Sequence, residues 1–287
     1  MIIKRYNRLE DSMIEQIRSL ESRCMSVDGT KEPLYLDDSL HFNPEINHTF
    51  LAFEKGQPIS ILHLFMPTAE EAELSAMTLP EYRGQGYFSA LLICAEEELI
   101  RYHLPDLLFV VNTSSQTRYQ DMLSYLGAQY DFSEYVMTLE KDSWSEQAEK
   151  EEMEVVRAET VDLEALVAIS VATFGDNPED ARSLVEKSQK ATARESYAAV
   201  WDHQVIGMGS INFEESVPCI FGFAIQPTFQ GQGYGRRFLA LLIQDLFAKG
   251  YSQIKLEVDS KNSRALHLYQ KTGFIETSGY AYYRKKI

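Results

Sequence analysis

Two glycine-spaced stretches stand where the backbone itself could do chemistry. In "QPTFQGQGYGRRFLALLIQDL", residues 226–246, Gly231, Gly233 and Gly235 lie between an apolar run ended by Pro227 and an amphipathic helical pattern. A glycine-rich turn into a helix bares N–H groups at the positive end of the helix dipole, an arrangement that holds an anion, most often a phosphate. The same sequence also fits a tight strand-to-helix turn without a ligand. Two phosphate-loop types fail on specifics. Gly235-Arg236-Arg237 lacks the Gly-Lys-Ser/Thr of a Walker loop, and a dinucleotide fingerprint starting at Gly231 would need glycine where Arg236 stands. Upstream, "EYRGQGYFSALLICAEEELI" carries a similar loop with Arg83, Gly84 and Gly86.

The composition narrows what else the chain could do. With 27 Lys+Arg against 43 Asp+Glu the net charge is −16, which argues against a nucleic-acid partner. The acidity is uneven: residues 1–150 hold 12 basic and 25 acidic side chains, residues 151–287 hold 15 and 18. No apolar run reaches the ~20 residues of a membrane helix, so no membrane partner is expected. Cys24, Cys94 and Cys219 are odd in number and widely spaced, which predicts free thiols in a reducing cytoplasm. The six histidines show neither HxxxH nor HxH spacing, and no metal site is expected.

Something must hold the loops in place, and the pattern around them occurs twice. "SYAAVWDHQVIGMGSINF" reads as two strands turning at Asp202-His203-Gln204, "PCIFGFAIQP" as a further strand, and the glycine loop then enters a helix with Phe238, Leu239, Leu242, Leu246 and Phe247 on one face. Gly250 stops that helix; "QIKLEVD" is a strand, and "NSRALHLYQKTG" a helix from Asn262 to Gly273. The first half repeats the order, with a hairpin at Glu54-Lys55-Gly56. Pro80 and Pro227 lie 147 apart, as do Gly86 and Gly233, while Gly127 and Gly273 lie 146 apart. The chain therefore reads as a duplicated α/β unit: a domain over 1–140, an acid-rich linker over 141–153, and a second domain over 154–287.

Gln230-Gly231-Gln232-Gly233-Tyr234-Gly235 matches Q/R-x-x-G-x-G/A, and Val258-x3-Asn262-x2-Ala265-x2-Leu268-Tyr269-x3-Gly273-Phe274 follows at a fitting distance. Together they resemble the GNAT superfamily of N-acetyltransferases, well over about 154–287 and more weakly over 1–140. The resemblance implies an α/β (α+β) fold of two tandem domains, each a twisted mixed sheet flanked by helices, with acetyl-CoA in a splay between the strands at 219–226 and 253–259. It implies that backbone groups of Phe223, Ala224 and Ile225 pair with the pantetheine arm. It also implies that the segment Gln230, Gly231, Gln232, Gly233, Tyr234, Gly235 and Arg236 holds the pyrophosphate, with Asn262 as cofactor neighbour or helix cap.

Acetyl transfer from a thioester needs a neutral amine, a polarised carbonyl and a protonated leaving thiolate. An alkyl ammonium of pKa ~10.4 is neutral in about one molecule in 2,500 at pH 7, so a base or a desolvating pocket must help. In the resembled family a tyrosine often protonates the thiolate, and Tyr269 holds that position. The base is open among Glu214, Glu215, Glu257, Asp259 and a water chain; Cys219 as an acyl acceptor ranks below direct attack. His267 neighbours Tyr269 in sequence but lies on another helix face.

The first copy departs from the pattern. Arg83-Gly84-Gln85-Gly86-Tyr87 ends in Phe88, where the family has Gly or Ala, and the ring either crowds the phosphate or turns into the core. With Gly127 matched to Gly273, Leu123 replaces Tyr269 and Gln116 replaces Asn262; shifted by one, Met122 and Ser115 do. Neither register restores an acid. Arg83, Gly84 and Gly86 are expected to form a weak second site at most. The expected activity is acetylation of a small-molecule primary amine in the second half, with a homodimer left open. The alternatives are a CoA-binding scaffold without turnover, and acetylation of a protein N-terminus or lysine.

Overall fold

The computed structural model describes residues 1–30, 33–145 and 153–287. Most of the expected linker, 146–152, lies outside the described residues. By contacts the chain forms two compact units: Met1–Val111 with Ser115–Asp131 and Ala281–Ile287, and Asn112–Ser114 with Phe132–Tyr280.

In the first unit, β1 (Ile2–Tyr6), β2 (Thr49–Glu54), β3 (Gln57–Phe65), β4 (Glu71–Thr78) and β5 (Asp106–Asn112) run in that order across the sheet. Neighbours are antiparallel except β4 and β5, which are parallel. Helices α1 (Asp11–Asp28), α2 (Tyr87–Arg101) and α3 (Gln116–Tyr125) belong to the same unit. The chain then supplies β6 (Gln129–Glu140), β7 (Glu154–Arg157), α4 (Leu163–Phe174), α5 (Pro178–Lys190), β8 (Arg194–Trp201), β9 (Gln204–Asn212), β10 (Cys219–Ile225), α6 (Tyr234–Ala248), β11 (Gln253–Asp259), α7 (Ser263–Thr272) and β12 (Ile275–Lys286). In the second unit the order is β12, β6, β11, β10, β9, β8, β7.

The duplication is a property of the elements themselves. The bounds of β3 and β9, α2 and α6, β5 and β11, and α3 and α7 differ by 147 residues at both ends. Both hairpins turn through two residues of positive φ, Lys55 and Gly56 in one and Asp202 and His203 in the other. Such turns match the right-handed twist of the strands they join. The helices correspond at 147 while the closing glycines correspond at 146, because α3 has an extra residue, Leu126, before Gly127. By position Met122 therefore stands where Tyr269 does, although Leu123 is the buried residue of α3 at 1% exposure.

The terminal strands do not stay with the copy that precedes them. Glu134–Glu140 of β6 pair with Gln253–Asp259 of β11 inside the second unit. Ala281–Ile287 belong to the first unit, where the Ile287 amide donates to the Pro105 carbonyl at 2.9 Å and Ala281 and Tyr283 join the core around Ile61, Leu91 and Leu107. A cut at the linker therefore does not coincide with the compact units; the 1–140 and 154–287 division remains a proposal about the duplicated segments.

Arg284 anchors this tail. It lies within hydrogen-bond distance of Glu71 (2.8 Å), Asp106 (2.8 Å) and Asp131 (2.7 Å), and Lys286 also reaches Asp106 at 2.7 Å. Burial alone would raise the Asp106 carboxyl, but the hydrogen bonds from Lys286 and Arg284 outweigh it and hold it below the usual range. Arg284→Met leaves three carboxylates around an apolar stem and should cost about 2 kcal/mol, roughly 5 °C of melting temperature. Scanning calorimetry checks this. An unchanged midpoint would put the cluster among surface ion pairs of no net value.

Candidate active site

The second unit holds the predicted site residues, and its strands open where the resemblance places a cleft. β10 and β11 pair in parallel only at Cys219↔Lys255 and Ile220↔Leu256. Beyond these positions β10 keeps its partner on the other side, with Ala224↔Met208 and Ile225↔Gly207 on β9. The β11-facing edge of Phe223, Ala224 and Ile225 thus has no ladder partner among the described residues.

Between Phe221 and Ala224 the β9·β10 register shifts, with Gly222 and Phe223 opposing the single residue Gly209. This is a β-bulge, which frees a backbone group from the ladder and re-aims the strand. Gly222 takes φ +58, a conformation that costs glycine little. Phe223 stacks on Phe238 of α6 with ring centroids 5.2 Å apart, so its side chain packs while its backbone remains at the open edge.

The glycine loop closes on itself before α6. Gln230 Nε2 donates to the Ile225 carbonyl at 2.8 Å, and Gln232 Nε2 to the Thr228 carbonyl at 2.9 Å. Gly231 and Gly233 sit at φ +77 and +96, and Gly233 is the N-cap. A Cβ built on Gly231 meets nothing within 4 Å, so the glycine answers to backbone conformation and access, not to crowding. The first intrahelical bond runs from the Arg237 amide to the Gly233 carbonyl at 3.1 Å, which leaves the earlier amides of the turn at the helix end. Tyr234 is 7% exposed and packs against Trp201 and Phe229, so its ring serves the core and only its backbone is available to an anion. Arg236 follows on the exposed side of the turn.

Tyr269 is 6% exposed on α7, with its ring edge-on to Phe274 at 6.0 Å. Burial pushes its phenol up to about 12. Asn262 caps α7, its side chain accepting from the Ala265 amide at 3.1 Å. Among the base candidates, Glu215 pairs with Lys255 at 2.6 Å and Asp259 accepts from the Lys261 amide at 2.7 Å. Glu214 and Glu257 are exposed, as is His267. Cys219 is half-buried at the start of β10.

Two features escape the sequence reading. Arg264 at the start of α7 donates through Nη1 to Gln230 Oε1 at 2.6 Å, adding a cation to the loop from the next helix. The bulge at Gly222 is the other; a lone glycine inside a strand pattern was its available signal.

The corresponding loop of the first unit is built alike but committed otherwise. Gly84 and Gly86 take φ +71 and +84, and Gly86 caps α2. Arg83, however, donates to both carboxylate oxygens of Asp28 at 2.8 and 2.7 Å and through Nε to the Thr78 carbonyl at 2.9 Å. Hydrogen bonding from Arg83 holds the Asp28 carboxyl below its ordinary range. Phe88 packs against the core of its own unit, which selects the inward reading of that ring. β3 and β4 pair from Ser60↔Thr78 to Phe65↔Glu73 without a register shift, so β4 has no counterpart of the β10 bulge, and β4 and β5 pair over four positions.

A bulged strand that parts from its parallel neighbour and leads into a glycine-capped helix is the arrangement that the sequence resemblance implies for this unit. The family model "Acetyltransferase (GNAT) family" matches residues 14–127 and 136–274, and the chain belongs to that family. A [ribosomal protein bS18]-alanine N-acetyltransferase of Haemophilus ducreyi is 44% identical over 55 residues, 19% of this chain and 38% of that protein. A mycothiol acetyltransferase of Brachybacterium faecium is 30% identical over 132 residues, 42% of this chain and 40% of that protein. The chain spans about 40–50% of the length of the first such relatives. Among solved structures, a GCN5-related N-acetyltransferase from Sphaerobacter thermophilus superposes with TM-score 0.78 at 18% identity, covering 99% of this chain and 95% of that one. A tandem GNAT protein from the clavulanic acid biosynthesis pathway gives 0.73 at 13% identity, covering 99% and 98%; at such identities the likeness concerns fold.

Proposed function

We propose that the second unit transfers an acetyl group from acetyl-CoA to a primary amine of a small molecule, and that the first unit is mainly structural. The observation that carries this reading is the bulged open edge of β10 leading into the Gly233-capped end of α6. The free edge at Phe223, Ala224 and Ile225 takes the pantetheine arm as an added strand would. The turn Gly231–Gly235 offers its amides to the pyrophosphate, with Gln230 held by Arg264 and Arg236 alongside. An amide freed at the bulge polarises the thioester carbonyl.

The amine nitrogen forms the new C–N bond, the C–S bond breaks, and the ammonium proton passes to solvent or an exposed carboxylate. Tyr269 serves the leaving sulfur. A phenol held at about 12 and a thiolate whose conjugate acid lies near ~8.5 make full proton transfer uphill by roughly 5 kcal/mol in the resting site. Tyr269 therefore acts first as a hydrogen-bond donor, its proton following as charge builds on sulfur.

Acetylation of a protein amine is the second reading, favoured by the relatives named for a ribosomal protein. The relative named for mycothiol supports the first. Rates on an amine panel that includes peptides distinguish them.

Gly233→Trp and Gly86→Trp test the site assignment as a matched pair. Both glycines are N-caps at positive φ, so both variants carry a similar strain of about 1–2 kcal/mol. Calorimetric titration with acetyl-CoA should show one site in the wild type and in Gly86→Trp, and none in folded Gly233→Trp. Loss in Gly86→Trp alone would place the working site in the first unit.

A further inference from the structure

Three histidines converge in the core of the first unit. His41 lies in the connection after α1, His48 immediately precedes β2, and His63 sits on β3 opposite Thr49. They are 5%, 2% and 2% exposed. One ring nitrogen from each lies within 4.8 Å of the others, and the His41 and His48 rings meet edge-on at 4.5 Å.

Hydrogen-bond roles along this cluster follow from one fixed acceptor. The Asn7 carbonyl can only accept, so His48 Nε2, 2.9 Å away, carries a proton. Neutral His48 then has a lone pair at Nδ1, which takes the Thr49 hydroxyl proton across 3.0 Å. The Thr49 oxygen in turn accepts from His63 Nδ1–H at 2.9 Å. That leaves an unshared pair on His63 Nε2, a buried atom with no hydrogen-bond partner among the described residues.

A buried acceptor left unused is destabilising, and an occupant that takes its lone pair removes that cost. We propose that His41, His48 and His63 bind a divalent transition-metal cation of the zinc type, as a structural clip between β2, β3 and the connection that carries His41. Neutral imidazoles are apt ligands for such ions. His63 is already set for ligation through Nε2 by its Nδ1–H bond to Thr49, the outer-sphere arrangement that orients metal-bound histidines. His48 exchanges one of its two hydrogen bonds for the ion. Ligand nitrogens now as much as 4.8 Å apart must draw in, since zinc–nitrogen bonds of about 2.0–2.1 Å set them near ~3.4 Å from one another. A cleft of about 370 Å3 lined by Asn7, Arg8, Asp38, Pro44, His41 and His48 gives access.

The full chain, stripped with a chelator, is titrated with Zn2+ and separately with Co2+. The expected result is one ion per chain, a Co2+ visible spectrum of tetrahedral type without sulfur-to-cobalt charge transfer, and a raised melting temperature. His63→Gln and His41→Gln should each weaken Zn2+ binding at least ~100-fold. Thr49→Val keeps all three ligands and should weaken it roughly 10–100-fold, which serves where a histidine variant fails to fold. No stoichiometric binding by the wild type, a sulfur signature pointing to Cys24 or Cys94, or wild-type affinity in a folded His63→Gln or Thr49→Val would overturn the proposal.

Discussion

Tyr269→Phe is expected to lower kcat for acetyl transfer by roughly 10²–10⁴-fold while leaving acetyl-CoA affinity within about threefold of wild type. The substitution removes one oxygen from a ring that is 6% exposed and edge-on to Phe274, so packing is retained. The lost hydroxyl matters only as the C–S bond breaks, so the loss falls on kcat and not on binding. The pH profile gives a second readout. With its phenol pushed up to about 12 by burial, Tyr269 stays protonated through pH 10, so the acid limb belongs to the amine or its base and must survive in the variant. Stability shifts in the opposite sense at alkaline pH. The folded value exceeds the ordinary ~10, so the stabilising effect of burying the neutral phenol is complete below pH ~10 and lost as pH rises toward 12. The phenylalanine variant loses that dependence. A kcat within threefold of wild type would make Tyr269 a core aromatic and leave the leaving thiolate to solvent.

What the sequence disclosed of this site was local. Pro227, the three glycines and the Asn262-to-Gly273 helix are set by backbone preferences within a few residues, and each appears where the pattern puts it. The duplication was legible for the same reason, since its landmarks are turn and cap residues. Features made by distant partners were not. Asp28 occupying Arg83 joins residues 55 apart, and Arg264 reaching Gln230 joins residues 34 apart. The bulge depends on how Gly222 and Phe223 meet Gly209 on another strand. His41, His48 and His63 match no ligand spacing, because the β2·β3 register, and not their order in the chain, sets His63 across from Thr49 beside His48.

Removing residues 281–287 is expected to unfold the first unit before the second, although those residues end the second copy. Ala281 is fully buried and Tyr283 is 8% exposed in the first unit's core, and the Tyr283 hydroxyl accepts from Gln116 at 2.6 Å. Arg284, Lys285 and Lys286 satisfy Glu71, Asp106, Asp131 and Glu96 in the same unit. Burial of one tyrosine is worth about 1.5–3 kcal/mol, and each lost hydrogen bond roughly another 1. The total loss is on the order of 5 kcal/mol, comparable with the whole stability of an ordinary domain. Hydrogen exchange locates it. Protection should collapse in β4 and β5, which carry Glu71 and Asp106, while β11 keeps its amides through Glu134–Glu140 of β6. If the copies were instead closed at the linker, protection would fall first around 253–274. The sites of earliest exchange decide between these two organisations, because Arg284 and its three carboxylates stabilise only the first unit.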